Sequence, residues 1–211
     1  MKPKTLDHVA LWVADREQRV AAAVELGLRV IEQTDRFSLL GADARRGKLT
    51  FFDSEGPREP GALARIGLRV SSLDSRAPVV DLGEGLEVRL VEADTDSELD
   101  LDHVALYSAD VDAARRGWEA LGFAPLGDGR LEVGGAYLEL LPGAPGSPER
   151  PLLNHLGVLV DSVEEHEAEA EELGVEIDDV VDAPNTLALF VWGPDRVKLE
   201  YIEHKPSFSL T

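Results

Sequence analysis

The chain has no cysteine among its 211 residues. That excludes disulfides, thiolate zinc sites and a cysteine nucleophile, and it points to a reducing, cytoplasmic setting. Aromatic residues are sparse at 6%, and no apolar run approaches the length of a membrane span. The opening segment, Met1 to Thr5, leads directly into a strand-like stretch with no signal-peptide core. Positive charge is also scarce. Lys plus Arg is 21 against 41 for Asp plus Glu, a formal net charge of −20. Such a surface repels phosphate backbones and anionic lipid, so neither nucleic acid nor a membrane is an expected partner. Most of this charge reads as a solvated face that attracts divalent cations only in a general way.

What is present is an ordinary globular composition, 44% hydrophobic and 29% charged. The length suits one large domain or two of about 100 residues each. A repeat organises the chain. Leu6-Asp7-His8-Val9-Ala10-Leu11 recurs unchanged as Leu101-Asp102-His103-Val104-Ala105-Leu106, a period of 95 residues. Each copy is followed by an Ala-Asp pair (Ala14-Asp15, Ala109-Asp110) and then by a helical stretch ending in Leu-Gly (Leu26-Gly27, Leu121-Gly122). The run Asn154 to Asp161 restarts the pattern around His155, and Arg65 to Val70 is its counterpart in the first half. Four modules result, beginning near residues 6, 63, 101 and 153.

Within a module, periodicity predicts strand, helix, then three strands. His103 to Tyr107 alternates as a strand, and Asp110 to Leu121 carries a helical apolar face at Val111, Ala114, Trp118 and Leu121. Two short strands then flank Gly134-Gly135. Module four predicts a helix over Val163–Leu173 and strands over Glu176–Val181, Thr186–Trp192 and Val197–Ile202. Module two is degenerate, because Pro78, Gly83 and Gly85 leave no room for a helical period. The fold class expected is α+β: four βαβββ modules, the second degenerate, paired into two tandem half-open β-barrels. Residues 1–95 would hold modules one and two without metal. Residues 96–211 would hold modules three and four with the metal site.

His103 and His155 occupy matching places on the first strands of modules three and four. Glu139 and Glu200 occupy matching places on the last strands, each preceded by a Leu. A carboxylate on a central strand costs several kcal/mol unless it is paired or coordinates a metal. Two such His–Glu pairs suggest one shared divalent cation held by His103, Glu139, His155 and Glu200. His166 and His204 are read as surface residues.

This arrangement resembles the vicinal-oxygen-chelate superfamily, which includes glyoxalase I, methylmalonyl-CoA epimerase, extradiol dioxygenases, and bleomycin and fosfomycin resistance proteins. The resemblance runs from about Leu6 to Glu203 and places the same four residues on the family's ligand positions. It implies one metal ion (Fe, Mn, Ni, Co or Zn), a small-molecule substrate, and an assembly for which a homodimer is open. In the first half His8 keeps the first ligand position. Thr50 aligns with the Glu, and Arg65 and Arg89 stand at the His and Glu positions of module two. That half is read as having lost its site, with anion binding by Arg65 and Arg89 the lesser reading.

The resemblance implies three kinds of function. A glyoxalase-type isomerase, epimerase or lyase would use the metal to stabilise an enediolate, with Glu139 or Glu200 as base. An Fe(II) extradiol dioxygenase would use His103, His155 and Glu200 as a facial triad. Against it, a bound Glu139 leaves too few open positions, no histidine lies between His103 and His155, and Phe190 and Trp192 stand where a tyrosine is expected. The third is a drug- or metabolite-binding resistance protein. The isomerase type is the first expectation.

Overall fold

The computed structural model describes residues 1–44, 47–74, 76–95 and 97–209. Module one comprises β1 (Thr5–Val13), α1 (Arg16–Leu26), β2 (Arg29–Gln33), β3 (Phe37–Gly41) and β4 (Lys48–Asp53). Module two has strands alone: β5 (Leu63–Val70), β6 (Val79–Asp81) and β7 (Glu87–Glu92). Module three runs β8 (Asp100–Ser108), α2 (Val111–Ala120), β9 (Ala124–Gly127), β10 (Arg130–Val133) and β11 (Ala136–Pro142). Module four runs β12 (Leu153–Leu159), α3 (Val163–Leu173), β13 (Ile177–Asp182), β14 (Thr186–Trp192) and β15 (Lys198–His204), with a 3₁₀ turn at Pro194–Arg196.

The local signals act as polar side chains and glycines should. Asp15, Asp110 and Ser162 cap the three helices by accepting from the backbone N–H of Gln18, Ala113 and Glu165. Gly27 and Gly174 end α1 and α3 in the left-handed conformation. Gly134 and Gly135 both take positive φ in the tight turn joining β10 to β11. In module two, no helix lies between β5 and β6 among the described residues, as the sequence predicts.

Two sheets form. The first has eight strands in the order β13-β14-β15-β12-β1-β4-β3-β2, and the second has seven in the order β6-β7-β5-β8-β11-β10-β9. These are the two half-open sheets expected, but the pairing of modules differs from chain order. Module one joins module four through the antiparallel β1–β12 seam, and module two joins module three through β5–β8. A division at residues 95 and 96 therefore cuts across both sheets. The reason is an ambiguity of edges. The first strand of every module carries its own last strand, parallel, on one side. Its other edge can accept any other first strand, and neighbours in sequence are favoured only as a tendency.

The two sheets share one continuous apolar core. Trp118 on α2 is 1% exposed and packs edge-on against Phe123. A Cβ on the adjacent Gly117 would come within 2.6 Å of Pro194, so α2 of module three lies directly on the turn of module four. The Tyr201 hydroxyl of β15 donates to the carbonyl of Leu121 at 2.7 Å. Removing an indole packed this way costs about 3–5 kcal/mol. Among the described residues, no helix is long and apolar enough to cross a membrane.

Candidate metal centre

The module pairing decides which residues meet. His8 on β1, His155 on β12 and Glu200 on β15 converge on the first sheet. His8 Nε2 lies 2.9 Å from Glu200 Oε2, His155 Nε2 lies 3.0 Å from the same oxygen, and the two Nε2 atoms are 3.0 Å apart. All three residues are buried. Among the described residues they are the one group of three or more His, Asp or Glu side chains whose donor atoms could share a metal ion.

The expected four-residue set is split. His155 and Glu200 lie together, whereas His103 and Glu139 belong to the second sheet. There Arg65 donates from Nε toward His103 Nε2 at 3.4 Å and forms an ion pair through Nη2 with Glu139. The lesser reading of Arg65 as an anion site meets the same fact: its charge is taken by Glu139. Arg89 is half exposed and lies 3.9 Å from Glu87.

His8 was the ligand position that sequence reasoning assigned to a lost site. The identical hexapeptides make His8 and His103 indistinguishable, and Glu139 tipped the choice toward His103. At the place that Glu139 holds in module three, module one has Thr50: the ladders align Ala10 with Thr50 as they align Ala105 with Glu139. His166 is not a surface residue: it is 6% exposed, its Nδ1 donating to the Ser162 carbonyl. His204 is partly buried, its ring stacking on Phe208 at 3.9 Å.

The orientation of the two imidazoles is set by their outer partners. Asp7 can only accept, so His8 Nδ1 carries a hydrogen and donates to it at 2.8 Å. His155 Nδ1 likewise donates to Asn154 Oδ1 at 3.1 Å. Both Nε2 lone pairs then point at each other and at a carboxylate oxygen. Three lone pairs cannot meet without a cation between them, either a proton or a metal ion. Burial works against a charged His8 ring, yet Glu200 and Asp7 push its pKa up to about 9. Burial, with His8 and Lys198, keeps the His155 pKa below its ordinary value despite Glu200. Burial alone would raise the Glu200 pKa, but the two imidazoles hold it well below the usual carboxylate range. Of the two imidazoles, His8 is the one whose surroundings favour the charged form.

The donor set fits a metal ion. Three ligands at right angles, with bonds of about 2.1 Å, have donor–donor edges of about 3.0 Å, against about 3.4 Å for a tetrahedral site. The observed edges match the first case, one face of an octahedron, which is the two-His, one-carboxylate arrangement. The outer hydrogen bonds from Nδ1 to a carboxylate and an amide are those that orient metal-ligating histidines. Asp7 is itself neutralised by Lys48 Nζ at 2.8 Å, both groups being almost fully buried. Burial would raise its pKa, but Lys48 and His8 bring it down to about 2.

A cleft of about 410 Å³ opens over His155. Phe190 meets the His155 ring edge-on at 5.2 Å, and Trp12 and Phe52 pack together beside it. Arg36 and Lys198 stand at its rim together with Asp53, Asp178 and Asp179, and Lys198 is tied to Asp178 at 2.6 Å.

Comparisons with known proteins agree with this fold. Residues 100–201 match the family model "Glyoxalase/Bleomycin resistance protein/Dioxygenase superfamily". A presumed dioxygenase from Bacillus subtilis superposes with a TM-score of 0.79 at 17% identity, covering 98% of this chain and 87% of that one. Glyoxalase I from Zea mays superposes at 0.69 and 16% identity, covering 94% and 92%. The cppA protein of Streptococcus pneumoniae TIGR4 superposes at 0.64 and 14% identity, covering 95% and 98%. A search of curated protein sequences returns no match. The chain has the vicinal-oxygen-chelate fold, and the family match over residues 100–201 agrees with the resemblance to that superfamily expected from the sequence.

Proposed function

We propose that the first half-barrel is a mononuclear divalent-metal centre held by His8, His155 and Glu200. We read its chemistry as oxygenase-type, acting on a planar substrate with two adjacent oxygens. One observation carries this reading: the site offers three ligands, and Thr50 replaces a carboxylate at the fourth position. A cation held by His8, His155 and Glu200 would supply Lewis acidity, and a protein donor set of only three would leave room for a two-oxygen chelate.

The chain's own residues supply the rest. Asp7 and Asn154 hold the imidazole lone pairs inward. Phe52, Phe190 and Trp12 form an aromatic wall suited to a planar ring. The Arg36 guanidinium at the rim suits a carboxylate substituent on that ring. An isomerase would need a carboxylate base beside the chelate. Glu139 lies in the other half-barrel, and Glu200 is engaged by both imidazoles and is weakly basic. The objection that Glu139 would fill an open position also falls away.

Protein purified without chelator and loaded anaerobically with Fe(II) should consume oxygen with catechols, above all with carboxylated ones. His8→Ala should abolish this, and Glu139→Gln should leave it intact. Oxygen-independent turnover of a hydroxy- or oxo-substrate would instead support the isomerase. Metal and ligand binding with no turnover would support the binding protein.

A further inference from the structure

The second half-barrel repeats the frame of the first. Its β5–β8 seam sets Gly67 opposite His103, as β1–β12 sets Gly157 opposite His8. In both places a Cβ on the glycine would fall 2.2 Å from the imidazole, so the ring lies across bare backbone. Asp102 accepts from His103 Nδ1 at 2.7 Å, as Asp7 does from His8. Arg69 Nε stands 3.8 Å from Asp102, a cation beside that carboxylate as Lys48 is beside Asp7, although it comes from β5 and Tyr137 holds the register position of Lys48. By register Arg65 and Arg89 replace His155 and Glu200, while Glu139 replaces Thr50.

The lone pair of His103 Nε2 and the carboxylate of Glu139 are thus aimed into this frame. The guanidinium of Arg65 meets both and donates to each, and Arg130 Nη2 lies 3.8 Å from the other oxygen of Glu139. Arg65 and Glu139 are only 16% and 17% exposed at the side chain. A half-buried carboxylate beside an inward imidazole lone pair favours a cation between them. In the first frame a proton or metal ion can fill that place and can leave. A guanidinium cannot deprotonate and is covalently tethered.

We propose that the Arg65 guanidinium stands where a second divalent cation would sit, so that His103 and Glu139 form a latent metal site closed by an internal arginine. This rests on reading the first frame as a metal centre. It makes the two halves of the duplication alternative solutions to one electrostatic problem. The ligand class is a borderline divalent cation accepting one imidazole, one carboxylate and one further donor.

The test is cobalt stoichiometry in the full-length chain after dialysis. Arg65→His supplies the missing imidazole at the position equivalent to His155, and bound cobalt should rise by about one per chain over wild type. Adding His103→Ala should cancel the increment, and Arg65→Lys should show none. The increment is read whether or not the first frame binds metal, so failure there is separately visible. Arg65→Ala provides a second measurement. Its melting temperature should fall, and saturating cobalt should raise it by roughly 5–10 °C more than it raises wild type. A folded Arg65→His variant with unchanged cobalt content would overturn the proposal. So would failure of both variants to fold with cobalt present, because the cation should replace the lost charge.

Discussion

The Nε2 atoms of His8 and His155 face each other at 3.0 Å across the β1–β12 seam, although the residues lie 147 positions apart in sequence. Both rings have already committed their Nδ1 hydrogens, to Asp7 and to Asn154. With Glu200 Oε2 completing the triangle, the seam brings together three donor atoms that could share one cation.

Metal content should follow the first half-barrel alone. We expect about one metal ion per chain, lost in His8→Ala, His155→Ala and Glu200→Ala, and kept in His103→Ala and Glu139→Gln. Elemental analysis checks this. Metal loss in His103→Ala with retention in His8→Ala would restore the assignment expected from sequence.

Metal binding should release a proton at neutral pH. Without metal His8 carries one, with a pKa of about 9 against 6.5 for a free imidazole, and a cation displaces it. Calorimetry in buffers of different ionisation enthalpy measures the release. The same shift bears on stability. A folded pKa above the unfolded one stabilises the fold fully below pH 6.5, and this is lost as pH rises through about 9. Asp7 has the opposite sign. Its contribution is present above pH 3.8 and is lost as pH falls through about 2. Denaturation curves of chelator-treated protein should show both losses. Saturating metal should remove the alkaline one.

The Asp7–Lys48 pair should separate metal affinity from stability. Asp7→Asn keeps the shape but weakens the hold on His8, and metal affinity should fall about 10–100-fold. Lys48→Met leaves a buried carboxylate with one partner fewer, and stability should fall by about 3–5 kcal/mol. Metal titration and denaturant midpoints distinguish the two effects. Equal changes in both quantities for both variants would contradict these roles.

Two matched glycine substitutions test the seams. Gly157→Ala places a methyl group 2.2 Å from the His8 ring, and Gly67→Ala does the same to His103. Both should cost stability, by about 1–3 kcal/mol for overpacking. Only Gly157→Ala should also lower metal content.

Much of the fold was legible in one dimension because its signals are local. The hexapeptide repeat, the Asp and Ser helix caps, the Gly134-Gly135 turn and the missing module-two helix depend on neighbours a few residues away. His155 and Glu200 were legible as a pair because β12 and β15 belong to one module. The aromatic wall of Trp12, Phe52 and Phe190 was not, since it draws on both modules one and four.

The sequence by itself determined the four modules, the strands of each, the helix of all but the second, and the inward positions at which a His, Glu, Thr or Arg would stand. Which modules share a sheet was decided only by the tertiary structure. A first strand satisfies half of its backbone within its own module and leaves one edge free, and three other first strands present compatible edges. Even the opposed residues do not choose: modules one and three offer Ala10 and Ala105 where modules two and four offer Gly67 and Gly157, which suits either pairing. In the folded chain module four closes onto module one and module two onto module three, and one apolar core is buried between the two sheets. That single long-range choice puts His8 rather than His103 beside His155, and leaves Arg65 to neutralise the carboxylate of Glu139.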